Sequence, residues 1–215
     1  MNLTPVTIPK VATKIFPNLV WELPTNEKVL YLTFDDGPTP EITEWTLHQL
    51  NKHKAKATFF CIGNNIKKHP EIFNSILKEG HTIGNHTFNH TKGWKTKAKA
   101  YIEDVLKTKI EIEKHNISTS LFRPPHGQIK PKQAKLLKAL GYDIIMWNVL
   151  SIDWDKKISP KQCLENVINH SKPGSIIVFH DSVKATKNMQ YTLPKVLEHF
   201  SKKGYVFKRI PELNQ

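Results

Sequence analysis

The sequence predicts an α/β fold: a parallel sheet, closed or nearly closed into a barrel of about seven strand–helix units. Three observations carry this. Apolar runs of strand length alternate with helical segments from residue 29 onward. Three helical segments end in glycine, at Gly80, Gly141 and Gly204, and an apolar run follows each; the position after a helix often needs a positive φ, which suits glycine. Finally, the apolar run Val29 to Phe34 stops at Asp35-Asp36-Gly37-Pro38. A buried parallel strand with polar residues at its carboxy end is where such sheets place their chemistry.

Residues 1–28, with Pro5, Pro9, Pro17 and Pro24, lack periodicity. They read as a lead-in that packs on the body through Ile15, Phe16, Leu19, Val20 and Trp21, and residues 29–215 read as one domain. After the first strand, Thr39-Pro40 opens a helix running to about His53, with Thr as N-cap and Pro at the first helical position. Ala57 to Ile62 is a strand, Pro70 to Gly80 a helix, and His81 to Gly84 a strand. Residues 96–115 form a long helix with Ile102, Val105, Leu106 and Ile110 on one face. Leu121-Phe122 is a short strand, Pro131 to Leu140 a helix and Tyr142 to Trp147 a strand. The capping box Ser159-Pro160-Lys161-Gln162 opens a helix to about Ser171. Ser175 to Phe179 is a strand, Met189 to Lys203 a helix, and Tyr205 to Phe207 the final strand.

Composition narrows the function classes. The chain is 39% hydrophobic and 24% charged, which suits a folded domain rather than a disordered one. It contains no run approaching the roughly 20 apolar residues of a membrane span. The start, Met1-Asn2-Leu3-Thr4-Pro5, shows no basic segment followed by an apolar core. A cytoplasmic location is therefore the default, unless an export signal has been removed. Cys61 and Cys163 form neither a metal pattern nor a disulfide framework. The net charge of +13 comes mostly from scattered lysines, which read as a solvated surface. Single-strand nucleic-acid binders combine basic and aromatic platforms, and none is present, so nucleic acid is not the expected partner. The chain is expected to act as a monomer.

Five constellations can carry chemistry. Adjacent carboxylates repel, so Asp35 and Asp36 together call for a cation or a strong donor nearby. His86 and His90 are spaced i, i+4, as on one face of a helical turn, and can share one cation. Asp36 and the histidines all follow strands, so they can converge as three ligands with positions left open. Asn85 and Asn89 are candidate supporting donors. The second carboxylate of the pair is then a natural general base for an activated water. Arg123-Pro124-Pro125-His126-Gly127 reads by itself as a stiff turn with a surface arginine. It could also fix a carboxylate and offer backbone donors to an oxyanion. His180, at the tip of the strand Ser175 to Phe179 and level with Asp36, suits a general acid. Asp153 could orient His180 or Arg123, and Trp154 could wall a small apolar pocket.

Taken in order, Thr33-Phe34-Asp35-Asp36-Gly37, His86 to His90, Arg123 to Gly127, Asp153-Trp154 and Val178-Phe179-His180 resemble the five motifs of the polysaccharide deacetylases. These are the NodB-homology domains of carbohydrate esterase family 4, and the resemblance spans residues 29 to about 210. It implies a distorted (β/α) barrel and metal-dependent removal of N-acetyl groups from glycans containing N-acetylglucosamine. Peptidoglycan, chitin oligomers and poly-N-acetylglucosamine are the candidate substrates. By position, it implies metal ligands Asp36, His86 and His90, usually for zinc, with Co, Ni or Mn as alternatives. It also implies Asp35 as base, His180 as acid, and Arg123 and Asp153 as the residues that orient them. His126 would contribute a backbone N–H, and Trp154 and Val178 would line the acetyl pocket. Three positions depart from the family pattern: His126 stands for Tyr, Leu150 for Asp and Val178 for Leu. They bear on substrate choice. O-acetyl esterase activity on xylan and glycan binding without turnover are the alternatives on the same fold.

Overall fold

The computed structural model describes residues 5–8 and 10–213. The first strand, β1 (Val29–Asp35), is the centre of the sheet. On one side follow β2 (Ala57–Cys61), β3 (Thr82–Asn85), β4 (Leu121–Phe122) and β5 (Asp143–Ile144); on the other, β7 (Ile176–His180) and then β6 (Val149–Leu150). β8 (Val206–Phe207) adds to the start of β1. All of these pairings are parallel, and the sheet curls into a half-barrel.

The helices are α1 (Lys10–Ile15), α2 (Ile42–Lys52), α3 (Gly63–Lys68), α4 (Pro70–Lys78), α5 (Ala98–Glu113), α6 (Pro131–Ala139), α7 (Pro160–Ile168) and α8 (Thr186–Lys202). Leu30, Leu32 and Phe34 point outward into the main apolar cluster, under α2 (Ile42–Lys52) and α8 (Thr186–Lys202). There Phe34 stacks on Phe59 and Phe179, with ring centroids 5.0 and 5.9 Å apart. Strand side chains alternate, so Thr33 and Asp35 face the opposite side, the inside of the curl.

The curl is open between β5 and β6, and the lead-in occupies that seam. Val20 bridges Ile145 next to β5, and Thr7 bridges Val149 in β6. Pairing these edges removes exposed ladder donors. Leu19 is buried, whereas Ile15 and Phe16, expected to pack on the body, are exposed. The start of the lead-in, residues 1–4, lies outside the described residues.

Several local expectations shift. α2 begins at Ile42, not Pro40, because Glu41 takes a left-handed φ of 65° and interrupts the helical backbone, although the Thr43 N–H still donates to the Thr39 carbonyl. The strand expected over 142–147 shortens to Asp143–Ile144, and β6 forms separately. In α5 (Ala98–Glu113) Ile110 is exposed, and the buried face is Tyr101, Asp104, Val105, Thr108 and Ile112. Ser159 caps α7 (Pro160–Ile168) through the Gln162 N–H, but the Gln162 side chain turns to Asn166, so only half of the expected box forms.

At the opposite end of the sheet, His81 is buried and its Nδ1 accepts from the Ala57 N–H at 3.1 Å. Burial, reinforced by Lys56 and Arg209, pushes its pKa down to about 4. The folded value lies below the unfolded one, so protonation favours unfolding. The stability it confers is complete above about pH 6.5 and is lost as pH falls towards 4, up to about 3 kcal/mol. Denaturant melts at pH 7 and pH 4.5 should show this loss in the wild type and a smaller one in His81→Gln, which keeps an acceptor without the charge.

Candidate metal and catalytic site

The carboxy ends of β1, β3, β4, β6 and β7 converge on one cavity of about 500 Å³. Asp35, Asp36, His86, His90, His126, Trp154, Val178 and His180 all line it, with Trp147 and Leu150. Arg123 and Asp153 do not reach it; they lie fully buried behind Asp35 and His180.

Asp36 Oδ1 lies 3.7 Å from His86 Nε2 and 3.2 Å from His90 Nε2. That oxygen is buried, and no donor meets it with hydrogen-bond geometry. Burial alone would raise the Asp36 pKa. The imidazoles of His90, His180 and His86 outweigh it and hold the carboxyl well below the usual carboxylate range. His86 donates from Nδ1 to the Arg123 carbonyl at 2.8 Å, which leaves its Nε2 lone pair facing Asp36. Burial lowers the His86 pKa to about 4, so the ring is neutral, as a ligand must be. One atom from each of the three residues lies within 4.8 Å of the others. A buried anionic oxygen facing two imidazoles fits a divalent cation.

The histidine spacing works differently from the expectation. Residues 86–90 are a loop, not a helical turn, and Thr87 and His90 have φ of 63° and 55°. Left-handed backbone is costly for such residues and persists only where the surroundings enforce it. Asp104, on α5, enforces it here. Its carboxylate accepts from the N–H groups of Phe88 and Asn89, the Asn89 amide and the Thr91 hydroxyl, at 2.7–3.1 Å. Asn85 helps from the other side by accepting the Thr87 N–H. Asp104→Ala should therefore weaken the affinity of the Asp36–His86–His90 cluster for a divalent cation by about 10- to 100-fold, because the histidine loop loses its support. Competition with a chromophoric chelator measures it.

Asp36 is itself left-handed, at φ 83°. Asp181, fully buried, steadies the turn after it by accepting the Gly37 N–H at 3.1 Å and the Thr43 hydroxyl at 2.5 Å. A Cβ at Gly37 would overlap the Asp181 carboxylate, so glycine is required there. Burial pushes the Asp181 pKa up to about 8, with Asp36 adding to it.

Asp35 and His180 are register partners on β1 and β7, so their side chains share the inner face. The expectation had placed His180 level with Asp36; the ladder puts it one residue earlier. Arg123 is no surface residue: it is 0% exposed. Its Nη1 donates to Asp35 Oδ1 and Thr33 Oγ1, both at 2.7 Å, its Nε to the Ile145 carbonyl and its Nη2 to the Met146 carbonyl. The guanidinium also lies 4.1 Å from the Phe60 ring centroid. Of the two partners open to Asp153, the structure selects His180: Asp153 Oδ1 meets His180 Nδ1 at 2.8 Å, and Oδ2 accepts the His180 N–H. Burial would lower the His180 pKa, but Asp153, with Asp36 and Asp35, raises it to about 9. Its imidazole is therefore protonated at neutral pH, with Nε2 left for the cavity.

His126 is left-handed at φ 58°, and its ring sits 4.6 Å from that of His90. Leu150, Ile152 and Val178 form an apolar wall with Trp154, whose ring stands edge-on to His180 at 4.8 Å. Trp147 was not among the expected site residues. The residue lines the cavity, and its buried indole N–H has no acceptor among the described residues.

A family model described as polysaccharide deacetylase matches residues 22–145. A Bacillus cereus peptidoglycan-N-acetylglucosamine deacetylase is 37% identical over 199 residues, covering 91% of this chain and 92% of that protein. The crystal structure of the Bc1960 peptidoglycan N-acetylglucosamine deacetylase, in complex with 4-naphthalen-1-yl-N-oxidanyl-benzamide, superposes with a TM-score of 0.87 at 32% identity over 97% of this chain and 96% of that one. BA3943 of Bacillus anthracis, described as a CE4 family pseudoenzyme, superposes with a TM-score of 0.81 at 27% identity over 90% of this chain and 67% of its own.

Proposed function

Because the chain belongs to the polysaccharide deacetylase family, carbohydrate esterase family 4, we propose that it is a metal-dependent hydrolase that frees acetate from N-acetylglucosamine-containing glycans, with peptidoglycan as its substrate. The observation that carries this reading is the convergence of Asp36, His86 and His90 on one point of a cavity that Asp35 and His180 also line.

Asp36, His86 and His90 would hold the ion, and zinc suits a donor set of one carboxylate and two imidazoles. When bound, a divalent cation supplies Lewis acidity towards the amide carbonyl and the attacking water. The protein residues do the rest. Arg123 engages Asp35 Oδ1 and leaves Oδ2 to take a proton from water. The resulting hydroxide oxygen bonds to the carbonyl carbon. The His126 N–H, which has no acceptor among the described residues, is available to the developing oxyanion. His180, held by Asp153, gives its Nε2 proton to the sugar nitrogen as the C–N bond breaks, and the products are acetate and a free amine. The Leu150–Val178–Trp154 wall suits the acetyl methyl group. A base and an acid that are both present and both oriented favour turnover over glycan binding alone.

The test is acetate release from peptidoglycan, chitin oligomers, poly-N-acetylglucosamine and acetylated xylan, with and without chelator, for the wild type and Asp35→Asn. Chelator-sensitive release from the N-acetylated glycans supports the proposal. Release from xylan alone would make the protein an O-acetyl esterase.

A further inference from the structure

The reactive cavity adjoins a second hollow of about 630 Å³, and Lys184 lines both. Lys156, Lys184 and Lys187 surround this hollow, with Thr186 and Gln190 beside them. Asp153 is the one carboxylate in its lining; it is 1% exposed, and both of its oxygens are engaged by His180. None of the three ammonium groups has an ion-pair or hydrogen-bond partner among the described residues. Lys156 comes from the loop after β6 and the other two from the segment after β7, the strands whose ends lead to Asp153 and His180. Three unpaired cations around one concavity repel each other, and an anion relieves that repulsion.

We propose that this hollow is a subsite for a carboxylate carried by the glycan beside the sugar that loses its acetyl group. The inference rests on the deacetylase reading and deepens it, because it separates acidic from neutral substrates. Chitin-type chains offer no such carboxylate. In peptidoglycan the neighbouring sugar carries one, either on its lactyl ether or, where that is amidated, on the attached peptide. Lysine suits such a ligand, because a compact charge on a flexible stem can follow a carboxylate whose position varies.

The experiment compares kcat/KM for acetate release on three oligomers of equal length: neutral chitotetraose, a peptide-free oligomer alternating N-acetylglucosamine with N-acetylmuramic acid, and the same oligomer bearing peptide. Wild type is expected to favour an acidic oligomer over the neutral one by about tenfold, and the preference should shrink at high salt. In Lys156→Gln/Lys187→Gln, which leaves Lys184 in place, the acidic-to-neutral ratio should fall towards one. Preference for the peptide-free oligomer assigns the lactyl carboxylate, and preference for the peptide-bearing one assigns the peptide. Equal wild-type rates on acidic and neutral oligomers, or a ratio unchanged in the double variant, overturn the subsite while leaving the deacetylase reading intact. Calorimetric binding of the same oligomers to Asp35→Asn, with and without the lysine changes, reads the subsite without turnover. Lysine-dependent binding of the acidic oligomer with no acetate released from any substrate would retain the subsite and sink the deacetylase reading.

Discussion

Asp35→Asn is expected to lower kcat for acetate release by about 10²–10⁴-fold, and His180→Ala by a similar factor. The geometry makes each proton transfer depend on one residue. Asp35 is the carboxylate of the pair that lies outside the Asp36–His86–His90 cluster, and Arg123 occupies only its Oδ1. Asparagine keeps the acceptor for Arg123 but cannot take a proton from water. His180 depends on Asp153 for both its orientation and its charge, so Asp153→Asn should lose much of the same factor. These losses should fall on kcat more than on KM, since proton transfer matters in the transition state rather than in binding. The double variant Asp35→Asn/His180→Ala should lose much less than the product of the two factors. Steady-state acetate assays decide this. Single variants within threefold of wild type would remove these two residues from the chemistry.

Arg123→Met should cost about 3–5 kcal/mol of folding stability, measured by denaturant melts. Asp35 is only 4% exposed, and the variant leaves its carboxylate buried without a counter-charge. The carbonyls of Ile145 and Met146 lose a donor as well. A domain of this kind has about 5–15 kcal/mol in total, so the loss is a large share of it. Asp35→Leu/Arg123→Met should recover part of the stability, because removing a whole buried pair costs less than splitting it. That protein should still be inactive. Equal stability of Arg123→Met and wild type would mean that Asp35 is not held as an anion.

The strands, the glycine-terminated helices and the positions of Asp36, His86, His90 and His180 were legible in the sequence because each sits beside an apolar run of recognisable period. Pairings across the molecule were not. The i, i+4 histidines suggested a helical turn, yet a left-handed loop brings them together, and the cause is Asp104, fourteen residues beyond His90 on the buried face of α5. An acidic residue inside an amphipathic helix reads as solvent-facing, and that reading puts Ile110 on the packed face, whereas the structure exposes it and buries Asp104. Arg123 looked like a surface residue for the same reason: no local pattern reveals that Asp35, Thr33 and two carbonyls await it inside the curl. Asp181 carries no signal of its own beside His180 in the sequence, although it holds the turn that presents Asp36.

The most direct test is a titration of zinc into chelator-stripped protein while acetate release from an N-acetylglucosamine oligomer is followed. Release should be absent without metal, rise with added zinc and saturate at one equivalent. Full release from the stripped protein before any metal is added would contradict the claim that Asp36, His86 and His90 assemble the site around a single ion.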